Sequence, residues 1–296
     1  SDITARECFE LLDKPVDMVL PNGFEKDFVP QGATFTKKRR EARSRLIDIA
    51  RQLTDEGFSD DVLIVSTSGR YEFRNKGIDV FIESMNRLRH DTRLKKTVLA
   101  FIEVPGWVAE PRVLTPDLPL THWLHNMSDD RILSMMNHLG MHNAKEDKVK
   151  VFFIPSYLTG NDGIVNKTYY DVLPGNDLTV YPSYYEPWGY TPLESIAFKV
   201  PCITTDLSGF GLWINSVKGD FCEIEDGVKV VHRSDYNYDE VAQTIADTIV
   251  SFTEKAPDEV KAIRQSAARL SERALWSRFI QYYLNAYDMA LSKINE

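Results

Sequence analysis

Short, unbroken apolar runs alternate with stretches whose apolar residues recur every three to four positions, and this alternation organises the chain. Runs of strand length fall at Val62–Ser66, Val98–Val104, Val149–Ile154, Leu178–Tyr181 and Cys202–Thr205, and helical stretches separate several of them at about 76–90, 128–139 and 191–199. Unbroken apolar runs between amphipathic helices predict buried parallel strands joined by right-handed crossovers. The expected fold class is therefore α/β, a doubly wound, Rossmann-like parallel sheet that binds ligands outside the carboxyl ends of its strands. Residues 4–14 predict a short helix, and Val16–Leu20 a short strand ended by the turn signal Pro21-Asn22-Gly23. A basic helix is expected over about 36–56 with Gly57 as its C-cap. Helices over about 238–254, 258–273 and 274–293 fill the C-terminal stretch. In the last of these Trp276, Phe279, Tyr283, Tyr287 and Ala290 form one continuous apolar stripe.

Composition narrows the function classes. At roughly 150 residues per domain, 296 residues make about two domains or one large α/β domain. Lys and Arg total 35 against 44 Asp and Glu, a net charge of −9, which argues against a nucleic-acid partner. A hydrophobic share of 43% with 27% charged residues excludes wholesale disorder. No apolar run approaches the ~18 residues of a membrane span. The first residues lack the basic and apolar regions of a signal peptide. Cys8, Cys202 and Cys222 are odd in number and far apart, which fits a reducing compartment, so a cytoplasmic protein is expected. Cys202 reads as a core residue.

Two loops could carry chemistry. Ser68-Gly69-Arg70 through Lys76-Gly77 follows the strongest strand and precedes an amphipathic helix, which puts Arg70 and Lys76 at the expected ligand crevice. Arg offers a fork and Lys a compact charge, a pairing suited to a diphosphate; the alternative is a solvated loop in which they pair with Glu72 or Asp79. The second loop, Tyr181 through Glu194, also lies between a strand and a helix. Thr191 reads as the N-cap and Pro192 as the first helical residue, so the amides of Gly189, Tyr190 and Thr191 would face an anion. Glu186 and Glu194 bracket that start; Glu194 suits either a capping box with Thr191 or a ligand. His122, His125, His138 and His142 lack the partners of a zinc site and read as core or surface histidines. Residues 37–45, basic with an interleaved Glu41, read as a solvated helix face.

The segments SGRYEFRNKG, YPSYYEPWGYTPLES and TTDLSGFG together resemble the eukaryotic-type glycogen synthases, retaining glucosyltransferases with the two-Rossmann GT-B fold. VDMVLPNG, HNMSDD at 125–130 and RLSERALW at 269–276 extend the likeness along nearly the whole chain. The resemblance implies transfer of glucose from UDP-glucose to the non-reducing end of an α-1,4-glucan, glycogen being the acceptor. In that reading Arg70 and Lys76 neutralise the departing diphosphate and Glu186 stands at the reacting carbon. Gly189, Tyr190 and Thr191 cradle phosphate, Glu194 holds the ribose hydroxyls, and Tyr169, beside Tyr170, stacks on uracil. No metal or other cofactor is expected. Residues 1–28 would be the end of an N-terminal domain and the hinge, 29–273 the nucleotide-sugar domain, and 274–296 a crossover helix. Without the N-terminal domain, the chain alone is expected to be inactive and to self-associate as a homo-oligomer through its exposed stripe. Members carry a dense arginine cluster for glucose 6-phosphate where this chain has only Arg264 and Arg269. A non-catalytic nucleotide- or glucan-binding module, or another GT-B transferase, is the alternative.

Overall fold

In the computed structural model, which describes residues 1–219 and 221–294, helices α1 (Asp2–Leu12) and α2 (Gly32–Thr54) precede β1 (Leu63–Ser68), α3 (Ile78–Arg89) and β2 (Val98–Glu103). An antiparallel hairpin, β3 (Val108–Pro111) and β4 (His122–Leu124), leads into α4 (Arg131–His138) and β5 (Val149–Ile154). Next come α5 (Tyr169–Val172), β6 (Leu178–Tyr181), α6 (Tyr190–Ala197), β7 (Cys202–Thr205), α7 (Gly209–Lys218) and β8 (Val228–Val231). Helices α8 (Tyr238–Glu254), α9 (Pro257–Ser271) and α10 (Trp276–Ile294) close the chain.

The long sheet is parallel throughout, in the order β5-β2-β1-β6-β7-β8. The chain winds outward from β1 to β5, returns to lay β6 beside β1, and winds outward again to β8. The doubly wound class expected from the apolar runs is the one observed. Its crevice opens above the carboxyl ends of β1 and β6, where the winding reverses. Side-chain alternation sends Leu63, Val65, Ala100 and Ile102 toward α3, α4 and α8, and Ile64, Leu99 and Phe101 toward α2. Each such Leu, Ile, Val or Phe side chain contributes roughly 1.5–3 kcal/mol by leaving water, so the two sheet faces rather than local propensity hold the helices.

Several local expectations are corrected. Helix α2 ends earlier, with Asp55 rather than Gly57 in the left-handed cap (φ 54°), donating its N–H to the Arg51 carbonyl at 2.8 Å. Its basic face is solvated only in part: Lys37, Arg40 and Glu41 are exposed, while three arginines turn inward. Arg39 and Arg43 pair with Asp177 at 2.8 and 2.6 Å, and Arg45 donates to the carbonyls of Ile164 and Val165, clamping the helix to the sheet. Residues 16–20 form no strand; no ladder reaches them, and Met18 and Leu20 share a cleft with Ala286 and Met289 of α10. Of the α10 stripe, Phe279 is buried, Trp276 and Tyr283 are half-buried, and Tyr287 is 60% exposed. Strand β8, helix α7 and the β3–β4 hairpin were not anticipated by the apolar pattern. Cys202 is buried in the core. None of the described helices is long and apolar enough to cross a membrane.

Candidate active site

β1 and β6 end side by side, and the loops leaving them, 69–77 and 182–189, are stitched into one lip. The Asn75 carbonyl accepts from the amides of Tyr184 (2.9 Å) and Tyr185 (3.3 Å). Gly77, the N-cap of α3 at φ 67°, lies so close that a Cβ would stand 1.9 Å from the Pro182 carbonyl oxygen. Only glycine fits both the conformation and the gap. From this joint Lys76 reaches Glu186 and forms an ion pair in which each side chain is only 15% exposed. At that burial the attraction is far less screened than at the surface, and removing one partner leaves the other charge stranded. The chain after β7 braces Glu186 from behind: its N–H donates to the Leu207 carbonyl at 3.2 Å, and its carbonyl accepts from Gly209 N–H at 3.0 Å.

Arg70 is not gathered into this lip. Its side chain is 74% exposed and rests on Glu72 at 2.9 Å, a surface pair worth only ~0–1 kcal/mol.

Helix α6 begins at Tyr190, with Gly189 as its N-cap at φ 112°. The expectation that Thr191 caps the helix and Pro192 opens it is thus corrected; they are its second and third residues. Gly189 makes the left-handed turn that starts the helix early, and Pro192 still falls in the first turn, where a missing N–H costs no helical bond. The amides of Tyr190 and Thr191 lie at the positive end of the helix dipole. Glu194 closes no capping box with Thr191: its Oε1 accepts from the Tyr170 hydroxyl at 2.8 Å, and burial pushes its carboxyl pKa up. Tyr170 is stacked on Phe198 (centroids 5.1 Å apart) and Phe28 (5.8 Å), at the edge of the apolar core. Tyr169 is the tyrosine that lines the crevice, its hydroxyl 3.0 Å from Ser68 Oγ. Burial pushes that phenol pKa well up.

A cavity of about 290 Å³ lies above the strand ends, walled by Gly69, Glu103, Tyr157, Tyr169, Thr191 and Glu194 among others. Glu103 and Tyr157 were not anticipated. Glu103 closes β2 at 5% exposure with neither carboxyl oxygen hydrogen-bonded, and burial alone raises its pKa to about 8. The signal available was a lone carboxylate ending a buried parallel strand at its ligand-binding end. The histidines stay apart: His122 is buried and bonds Thr121 and the Asp162 carbonyl, while His125 packs at a tilt against Trp107. Among the described residues no group of three or more His, Cys, Asp or Glu could hold a metal ion.

The sheet, the crevice at its switch point and the stitched lip define a class: the fold is that of one Rossmann-like half of the GT-B glycosyltransferases. The sucrose-phosphate synthase of Thermosynechococcus elongatus superposes with a TM-score of 0.59 at 15% identity, covering 99% of this chain and 57% of that one. Anabaena HepE in complex with UDP-glucose superposes with a TM-score of 0.56 at 13% identity, covering 99% and 68%. At such identities these structures speak for the fold alone. The family model for glycogen synthase matches residues 1–115 and 109–296, and the chain belongs to the glycogen synthase family. The glycogen [starch] synthase of Neurospora crassa is 29% identical across 99% of this chain and 51% of its own length. The human liver enzyme is 28% identical across 99% and 51%. The chain spans about half the length of the curated relatives it matches.

Proposed function

We propose that this chain is the donor-binding half of a glycogen synthase, transferring glucose from UDP-glucose to the non-reducing end of an α-1,4-glucan with retention of configuration. The observation that carries the reading is the half-buried Lys76–Glu186 pair, held at the switch point beside the amino end of α6. Departure of UDP builds negative charge on the diphosphate and positive charge on the anomeric carbon. The α6 amides at Gly189–Thr191 and the Lys76 ammonium meet the first; the Glu186 carboxylate, freed as Lys76 turns to phosphate, meets the second. Arg70 adds a second cation by leaving Glu72, at a cost of under ~1 kcal/mol. Glu194 takes the ribose hydroxyls and Tyr169 the face of uracil. Two cations and a helix terminus supply the charge this reaction needs, so the activity is expected without added metal. The acceptor hydroxyl attacks from the leaving-group side, and the N-terminal domain of the family supplies its contacts. The exposed part of α10 makes self-association of the isolated chain the expected state.

Titration calorimetry with UDP and ADP tests this reading. UDP should bind, and Lys76→Ala should weaken it by about 1.5–3 kcal/mol, the worth of one charge-assisted contact. Glu186→Ala should leave UDP binding nearly intact and abolish glucose transfer in the whole enzyme. No heat with UDP, or tighter binding of ADP, defeats the donor assignment.

A further inference from the structure

Glu103 is expensive as built. Both its oxygens are buried and unpartnered among the described residues, although the positions on either side, Ile102 and Val104, are apolar core. A buried polar group left without a partner costs about 1–3 kcal/mol, and an apolar residue of similar size would remove that cost. Nothing in the packing calls for a carboxyl here. What distinguishes the position is the cavity it faces.

Register fixes where in that cavity it stands. Glu103 lies opposite Ser68 on β1 and Ile154 on β5. Ser68 in turn holds the hydroxyl of Tyr169. The sheet order puts β2 two strands from β6, the strand that feeds Glu194 and α6. At ~4.8 Å per strand that step is about 10 Å. In the donor reading, a ribose at Glu194 with its base on the Tyr169 face would turn the ring's far edge toward Glu103.

We propose that Glu103 binds the edge of the donor's uracil, one carboxyl oxygen accepting the N3–H and the other donating its O–H to the adjacent ring carbonyl. This rests on the donor reading above. The neutral form that such a pairing requires is the one burial favours, since the carboxyl pKa stands at about 8. The other titratable groups on the cavity wall, Tyr157, Tyr169 and Glu194, supply no cation that would ionise it.

The test compares UDP with UDP methylated at uracil N3, bound by the chain and by its Glu103→Gln and Glu103→Val variants. The chain should bind UDP about 10-fold or more tightly than the methylated form, the worth of a lost hydrogen bond. Glu103→Gln, which keeps one donor and one acceptor, should preserve the preference. Glu103→Val should bind both alike, at the methylated level, with affinity for inorganic pyrophosphate unchanged. Equal affinities in the unaltered chain, a preference that survives Glu103→Val, or one lost in Glu103→Gln would overturn the assignment while leaving UDP as donor. Failure of the unaltered chain to bind UDP at all would instead sink the donor reading.

Discussion

Two buried carboxyls stand at opposite ends of the sheet, and their surroundings could hardly differ more. Asp177, just before β6 at the amino end, accepts from Arg39, Arg43 and the Ile64 N–H. Burial alone would raise its pKa, yet the Arg43 and Arg39 charges outweigh that and hold it below the usual range. Arg264 is folded into the same neighbourhood, its guanidinium pushed down to about 9 by burial. Glu103, at the carboxyl end, has burial and nothing to oppose it. Asp177 at the amino end is thus fully partnered by this chain's own residues. Glu103 at the carboxyl end has no partner among the described residues, and the base edge proposed above is what would supply one.

The contrast can be broken most directly at Asp177. Asp177→Ala strands two arginines beside each other and should cost about 3–5 kcal/mol in urea unfolding; a loss below ~1 kcal/mol would erase the distinction. Glu103 should give the opposite signature in pH. Its folded pKa, about 8, lies above the ordinary 4.5. Its contribution is therefore intact below 4.5 and lost as pH rises through that window, with a slope of up to ~1.4 kcal/mol per unit. Glu103→Gln should flatten the slope between those limits, and an unchanged slope would show that another group titrates there. Gly77→Ala forces a side chain into a left-handed residue packed on Pro182 and should cost on the order of 1–3 kcal/mol, with UDP affinity falling in parallel. The smallest effect belongs to Glu72→Ala, which removes an exposed partner of Arg70 and should move the unfolding midpoint by less than the equivalent of ~1 kcal/mol.

The sheet was legible wherever a strand is buried on both faces, because Val149–Ile154, Leu178–Tyr181 and Cys202–Thr205 are largely apolar, with Lys150 the single charge in a run of six, and match the observed limits. Val228–Val231 escaped notice because Lys229 interrupts a run of only four residues. The Gly209-Phe210-Gly211 start of α7 reads as a loop until the contacts of those glycines with Pro187 and Thr205 are seen. Val16–Leu20 has strand composition without a strand beside it. At the site, the two loops and their order could be read locally. Three features could not: the bond from Tyr170 to Glu194, the clamp of Arg39 and Arg43 on Asp177, and the isolation of Glu103. Each depends on residues far apart in the chain, whose meeting only the winding of the sheet decides.

The stitched lip also bears on motion. Loops 69–77 and 182–189 leave different strands, yet the Asn75 carbonyl and the Gly77–Pro182 contact bind them into one body. Lys76 and Glu186 therefore cannot drift independently on the nanosecond scale typical of free surface loops. In the donor reading the backbone of both loops is already in place, and binding needs only side-chain turns at Lys76 and Arg70. Relaxation dispersion in the microsecond-to-millisecond range should find the lip quiet, and exchange at residues 69–77 or 182–189 would show that the two loops move apart.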